Sequence, residues 1–255
     1  MGRIITIANQ KGGVGKTTTA INLSACLAEA GQHVMLVDFD PQGNASSGLG
    51  VEIEEHEHTV YDLMAEEAGL DECLVKNVQD NLDVLPSDMN LAGAEIEFQE
   101  IENKETLLKR YLDQVRDDYD FILIDCPPSL NILTINALTA ADTVLVPIQC
   151  EYYALEGLNQ VLKTVELVRK KLNPQLELEG VVFTMYDART NLSLQVVESV
   201  KSNLNQTIYK TIIPRNVRLA EAPSHGLPIN LYDSKSAGAE SYRLLAKEVI
   251  DREDI

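Results

Sequence analysis

Basic residues are scarce in this sequence. Its 255 residues include 21 lysines and arginines against 40 aspartates and glutamates, which gives a net charge of −19. A strongly acidic chain repels phosphate polymers and anionic lipid surfaces. This scarcity excludes histone-like binding of nucleic acid over the whole surface, so any such partner must be met through a local basic patch.

Cysteine pairs and long apolar runs are also missing. The four cysteines form no Cys-x-x-Cys pair, and their mostly apolar surroundings favour reduced, buried thiols in a cytosolic protein (Cys26, Cys73, Cys126 and Cys150). No apolar run approaches the roughly 18 residues that suggest a membrane span. No charged-then-apolar leader precedes the first strand-like segment. We therefore expect a soluble cytoplasmic protein that does not enter a membrane.

The acidic charge is concentrated in one stretch. Residues 51–120 contain 21 acidic and five basic residues, a net charge of −16. Residues 181–220 contain two acidic residues against five basic ones, a net charge of +3. The negative total therefore leaves one segment free to form a basic surface.

Short apolar runs alternate with amphipathic patterns along the chain, which is typical of βαβ units and a mainly parallel sheet. Strands are predicted over residues 4–8, 34–37, 121–124, 143–147 and 181–184, and helices over 20–30, 155–172 and 237–250. The acidic stretch at about 51–120 shows only weak helical patterns, and we interpret it as a helical excursion from the sheet. Because no linker or repeat interrupts the pattern, residues 1–255 are expected to form one α/β domain.

The strongest motif lies between the first predicted strand and the first predicted helix. It reads Gln10-Lys11-Gly12-Gly13-Val14-Gly15-Lys16-Thr17-Thr18. Glycines let backbone N–H groups curl around phosphates, and the start of the helix adds the positive end of its dipole. In such a loop Lys16 would contact the β- and γ-phosphates, Thr17 would bind Mg²⁺, and Thr18 could reach the α-phosphate. We predict a nucleotide-binding loop over these residues.

Two departures from the usual phosphate-loop pattern are informative. Gln10 stands where the first glycine is expected, and Lys11 adds a second lysine. This loop resembles the deviant Walker A loop of the ParA/MinD-type P-loop ATPases. The resemblance implies a P-loop NTPase-like, mainly parallel twisted sheet with helices on both faces. It also implies that Lys11 reaches across a nucleotide-sandwich dimer to the partner's phosphates, so Lys11 joins Lys16 as a candidate for catalysis.

Aspartates follow two of the predicted strands. Asp125 closes the apolar run 121–124, as a Walker B aspartate does, and could hold Mg²⁺ through a water molecule. Asp38 and Asp40 follow the second strand, in a segment that resembles the family's switch I. The resemblance implies that Asp40 orients the attacking water. For each aspartate, capping a strand or forming a turn remains the alternative.

Beyond the ATPase core, the resemblance narrows to the Soj/ParA chromosome-partitioning proteins and runs essentially end to end. It is carried by residues 149–157, 187–191, 213–218 and 221–226. It implies that Pro214 and Asn216 contact the adenine and that Arg189 and Arg218 bind DNA without sequence preference. Arg215 could serve either the nucleotide or DNA.

The function implied by this resemblance is an ATP-dependent switch for chromosome or plasmid partitioning. ATP and Mg²⁺ would drive formation of a homodimer that binds DNA and so associates with the nucleoid. Slow hydrolysis, stimulated by a ParB-type centromere-binding partner, would release it.

Three other functions remain open on the same scaffold. A MinD-type membrane ATPase would end in a basic amphipathic helix, whereas residues 247–255 contain four acids and two bases. An iron–sulfur carrier would need Cys126 and Cys150 to approach each other. A small-molecule P-loop enzyme would need a dedicated acid/base constellation, which we do not find. His225 is interpreted as a structural loop histidine.

Overall fold

The computed structural model describes residues 2–98, 101–204 and 208–252, whose strands form one eight-stranded sheet. In chain order the strands are β1 (Arg3–Ile7), β2 (Val34–Asp38), β3 (Val75–Gln79), β4 (Leu82–Leu85), β5 (Phe121–Asp125), β6 (Thr143–Gln149), β7 (Glu177–Tyr186) and β8 (Ile208–Pro214). Across the sheet the order is β3-β4-β2-β5-β1-β6-β7-β8. Only β3 and β4 pair antiparallel, and every other neighbouring pair is parallel.

Helices connect the strands in the described part of the chain. They are α1 (Lys16–Glu29), α2 (Asn44–Gly48), α3 (Val60–Met64), α4 (Leu70–Cys73), α5 (Ala94–Glu97), α6 (Leu107–Val115), α7 (Ile132–Ala140), α8 (Ala154–Lys171), α9 (Asn191–Asn203), α10 (Val217–Glu221), α11 (Ile229–Tyr232) and α12 (Ala237–Ile250). Within these ranges, no helix has both the length and the apolar character needed to cross a membrane.

Both faces of the sheet are covered, because successive side chains of a strand point to opposite faces. In β5, Ile122 and Ile124 join one apolar core, while Leu123 joins the other. The first core also takes residues from α6, α7 and α8, and the second takes residues from α1 and α12. The expected parallel sheet between two helical layers is therefore confirmed.

The predicted helices and strands are found with small shifts of their ends, but the acidic stretch differs from expectation. The expectation that residues 51–120 are helical is wrong for β3 and β4, which form a hairpin. β4 pairs in parallel with β2 and so extends the main sheet. The hairpin turns at Asp80 and Asn81, where Asn81 has a φ of 64°. Asn and Asp at such a turn indicate a hairpin. The strands on either side are short and partly polar, so their sequence did not show a clear strand pattern.

Candidate nucleotide-binding site

The loop between β1 and α1 has the backbone shape of a phosphate cradle. Gly13 and Gly15 have φ values of 72° and 87°, in the left-handed region that favours glycine. A Cβ atom at Gly12 or Gly13 would meet no other atom within 4 Å, so the loop borders open space. α1 begins at Lys16 and has no acidic residue in its first turn. The loop therefore offers backbone donors and a helix N-terminus to an anion.

Lys16 is the buried cation of this site. Only 7% of its surface is exposed, and its Nζ lies 3.5 Å from the carbonyl oxygen of Lys11. Burial lowers the pKa of Lys16, while the nearby Asp125 and Asp40 oppose that shift. The ammonium group therefore lies within electrostatic range of two carboxylates, and within the described residues its one hydrogen-bond contact is with the Lys11 carbonyl.

Asp125 is a buried carboxylate without a hydrogen-bond partner. It ends β5, in register with Ile7 of β1 on one side and with Asp38 of β2 on the other. Neither of its oxygens accepts a hydrogen bond, although the side chain is completely buried. Burial and the charge of Asp38 raise the pKa of Asp125 well above its usual value, and the Thr17 hydroxyl is near enough to oppose that shift.

An orphaned buried carboxylate is costly unless something pairs with it. Mg²⁺ prefers oxygen ligands and is usually held by one or two carboxylates together with phosphates and waters. Thr17 and Asp125 supply a hydroxyl and a carboxylate near the start of α1. The residues present therefore fit a magnesium site.

Asp38 and Asp40 have different surroundings. Asp38 is fully buried and accepts hydrogen bonds from the backbone N–H and the hydroxyl of Ser46, both at 2.8 Å. Burial raises its pKa to about 6. Asp40 accepts a hydrogen bond from the backbone N–H of Gln42 at 3.0 Å. Asp38 therefore shapes the loop from 38 to 46, and Asp40 stands on that loop near Lys16.

The start of the phosphate loop is fastened to β6 and α8. The Asn9 amide donates to the Pro147 carbonyl at 2.8 Å, and the Gln10 amide donates to the Thr164 hydroxyl at 2.9 Å. The second contact explains the glutamine in place of the usual glycine, because its side chain reaches the neighbouring helix.

Lys11 is held at the rim of the loop. Its Nζ lies 3.0 Å from Oε2 of Glu151, and the lysine side chain is 33% exposed. Glu151 was not singled out from the sequence, because nothing in a linear pattern pairs it with a residue 140 positions away.

A cavity of about 280 Å³ lies beside the loop and has the largely apolar lining that suits a base. Its lining residues include Gly15, Thr18, Met185, Pro214, Arg215, Asn216 and Tyr242. The Thr184 hydroxyl donates to the Val14 carbonyl at 2.8 Å and ties this wall to the loop. The structure thus places the segment 214–216 next to the phosphate loop. A wider cleft of about 910 Å³ is lined by none of residues 10–18.

The two candidate DNA-binding arginines lie outside this cavity. Arg189 has a side chain that is 86% exposed, and it forms two contacts with Asp187, at 2.9 and 2.7 Å. Arg218 lies 2.8 Å from Glu221 and 3.5 Å from Asp233. Both are therefore surface arginines, and each is paired with a carboxylate.

Comparisons with known proteins show the family and the fold. A family model described as an AAA domain matches residues 2–178. The sporulation initiation inhibitor protein Soj of Bacillus subtilis (strain 168) is 60% identical over 249 residues, 98% of each chain. The chromosome partitioning protein ParA of Caulobacter vibrioides is 52% identical over 253 residues, 98% of this chain and 95% of that protein. Cobyrinic acid a,c-diamide synthase from Mycobacterium smegmatis, solved with ADP and magnesium, has a TM-score of 0.88 and 37% identity, and the match covers 100% of this chain and 96% of that one.

The orphaned Asp125 generates a prediction about stability. Since its pKa is raised, ionising it opposes folding, and this cost grows as the pH rises from the usual value of 3.8 towards the raised one. At pH 8 we expect Asp125→Asn to raise the melting temperature of the ligand-free protein by about 2–8 °C. The same variant should lose the extra stabilisation that Mg²⁺ adds to ATP, which thermal melts with ATP plus Mg²⁺ and ATP plus EDTA would measure.

Asp142→Asn is the matched control. Asp142 accepts a hydrogen bond from the Ile4 backbone at 2.8 Å and pairs with Arg116 at 2.5 Å. Its amide variant should melt lower and keep the effect of Mg²⁺. A destabilised Asp125→Asn protein with an intact Mg²⁺ effect would contradict the assignment.

Proposed function

Because the chain belongs to the Soj/ParA family of chromosome-partitioning ATPases, we propose that it works as an ATP-dependent switch that alternates between a monomer and a DNA-bound dimer. It is an ATPase of the chromosome-partitioning type, and ATP with Mg²⁺ is its nucleotide cofactor. The dimer, its DNA and a ParB-type partner belong to the proposal.

The position of Lys11 carries this proposal. Lys16 already provides a buried cation for the bound phosphates, whereas Lys11 lies at the rim and is paired with Glu151. A partly exposed ion pair of this kind contributes little and is readily exchanged. The phosphates of a second protomer would offer Lys11 a more highly charged partner than one carboxylate. ATP bound in both protomers would therefore join them.

Within one protomer, each residue has a separate task in the proposed hydrolysis. Thr17 and, through water, Asp125 would hold Mg²⁺, which adds positive charge at the β- and γ-phosphates. Lys16 neutralises charge that develops on the phosphates, and Asp40 orients the attacking water. The segment 214–216, which lines the neighbouring cavity, would hold the base. Phosphoryl transfer of this kind depends on positioning and charge and needs no separate general base.

The proposed DNA surface uses Arg189 and Arg218. Both arginines are exposed, so a DNA phosphate can replace Asp187 at Arg189 and either Glu221 or Asp233 at Arg218. A single acidic protomer holds DNA weakly, since its net charge is −19. A dimer presents the patch twice, and the second contact then benefits from a high effective concentration. Binding thereby becomes conditional on ATP, which places the protein on the nucleoid of the cytoplasm only in its ATP state.

The release step needs a partner. The family resemblance supports a ParB-type centromere-binding protein that stimulates hydrolysis and so separates the dimer.

The rival functions have less support. Burial raises the pKa of the Cys150 thiol to about 11 and that of Cys126 well above its usual value, which disfavours the thiolates that an iron–sulfur cluster needs. A small-molecule enzyme also has less support. The cobyrinic acid a,c-diamide synthase from Mycobacterium smegmatis shares 37% identity with this chain, whereas the Soj protein shares 60%.

Asp40→Ala tests the switch. The variant should bind ATP and dimerise, yet hydrolyse ATP about 10²-fold or more slowly, because the attacking water is no longer oriented. Steady-state phosphate release and sedimentation with ATP would measure both properties. Asp113→Ala, which removes an exposed carboxylate paired with Lys109, is the control and should turn over normally. Unimpaired turnover in Asp40→Ala would remove Asp40 from this role.

DNA binding tests the output of the switch. Fluorescence anisotropy with duplex DNA should show salt-sensitive binding with ATP and almost none with ADP or without nucleotide. Arg189→Glu should keep ATP binding and lose DNA binding. Arg169→Glu makes the same change of charge at an exposed position of α8 and should bind DNA normally. Equal DNA affinity in all three nucleotide states would sink the proposal.

A further inference from the structure

Two neighbouring tyrosines are exposed directly after Glu151, the ion-pair partner of Lys11. Tyr152 is 80% exposed and Tyr153 is 61% exposed. Their ring centroids lie 5.1 Å apart with the ring planes at 88°, an edge-to-face pair. In the part of the chain that the structure describes, the other large aromatic side chains are at least partly buried. An exposed aromatic pair such as this is therefore unusual in this protein.

The pair is attached to the start of the phosphate loop. It directly follows Glu151, the partner of Lys11, and directly precedes α8. A Cβ at Gly157, in the first turn of α8, would lie 3.7 Å from Oδ1 of Asn9. The Asn9 and Gln10 hydrogen bonds to β6 and α8 connect the loop with the elements on either side of the tyrosines, and Glu151 places the segment against Lys11.

The chemistry of the segment favours a protein partner over a nucleic acid. Tyrosine is enriched at the centres of protein interfaces, where a ring buries much surface and loses little conformational freedom. Edge-to-face contact holds the two rings before any partner arrives. Glu151 and Glu156 flank the pair, and their charges would repel the phosphates of DNA.

We infer that Tyr152 and Tyr153 form the apolar anchor of an interface with a second copy of this chain, next to the place where Lys11 meets the partner's phosphates. This inference rests on the proposed ATP-dependent dimer. Lys11 makes dimerisation depend on nucleotide, and the tyrosine pair supplies apolar contact area that a small ion pair cannot. In a two-fold dimer each copy contributes the same segment, so the anchor is present twice.

The test compares three variants by sedimentation velocity with ATPγS and Mg²⁺. Tyr152→Ser/Tyr153→Ser should weaken dimerisation by at least about 30-fold, the effect expected of an interface hot spot. Tyr152→Phe/Tyr153→Phe keeps the rings and should dimerise within about threefold of wild type. Leu167→Ser removes an apolar side chain of similar exposure, about 20 Å further along α8, and should have no effect.

Separate measurements keep the outcomes distinct. ATPγS affinity of each monomer, measured by calorimetry, should equal that of wild type, because the exposed rings do not line the base cavity. Wild-type dimerisation together with equal dimerisation of the double serine variant would overturn the inference and leave the proposed function standing. Loss of DNA binding with intact dimerisation would also overturn it, since the tyrosines would then serve DNA. A wild-type protein that stays monomeric with ATPγS would overturn the inference and the proposed dimer together.

Discussion

The register between β1, β5 and β2 is the constraint on which the site depends. It aligns Ile7, Asp125 and Asp38 at one edge of the sheet, at the carboxyl ends of parallel strands. The phosphate loop leaves β1 there and the Asp40 loop leaves β2 there. A shift of one residue in either pairing would turn Asp125 or Asp38 to the opposite face and separate it from Lys16. The fully buried apolar residues of β5 hold that register, because both faces of the strand are packed.

The site formed at this edge is electrostatically incomplete in the protein alone. The charges of Asp125 and Asp40 act on the buried Lys16, and the charge of Asp38 acts on Asp125. Hydrogen bonds from Ser46 satisfy Asp38, whereas within the described residues Asp125 has no hydrogen bond of good geometry and only the nearby Thr17 hydroxyl favours its charge. Bound Mg²⁺ would pair with Asp125, and the phosphates of the nucleotide would pair with Lys16. The buried carboxylate thus lowers the stability of the ligand-free protein and makes its stability depend on a bound ligand, as is common at functional sites.

The sequence pattern alone predicted the elements whose structure depends on neighbouring residues. Apolar runs that end in Asp38 and Asp125 and the glycine-rich loop predicted the central strands and the phosphate cradle, and each element lies where its pattern indicated. The β3–β4 hairpin was not predicted, because its strands are short and partly exposed and contain charged and amide side chains. Contacts between residues far apart in the sequence could not be predicted. Lys11 and its partner Glu151 are 140 positions apart, and Val14 and its partner Thr184 are 170 positions apart.

The scarcity of basic residues restricts any DNA-binding surface to a small part of the protein. Arg189 and Arg218 lie in the one basic segment, and each is already paired with a carboxylate. Acidity therefore does not exclude DNA, and under the proposed function it keeps DNA binding weak until two copies act together.

The coupling of ATP to dimerisation through Lys11 is the central claim, and Lys11→Ala tests it most directly. ATP affinity and the sedimenting mass of the ATP-bound protein should be measured side by side for this variant and the wild type. The account predicts that Lys11→Ala binds ATP with an affinity close to that of wild type, because Lys16 and the cradle are intact, but remains a monomer. An ATP-bound Lys11→Ala protein that dimerises as readily as wild type would contradict it.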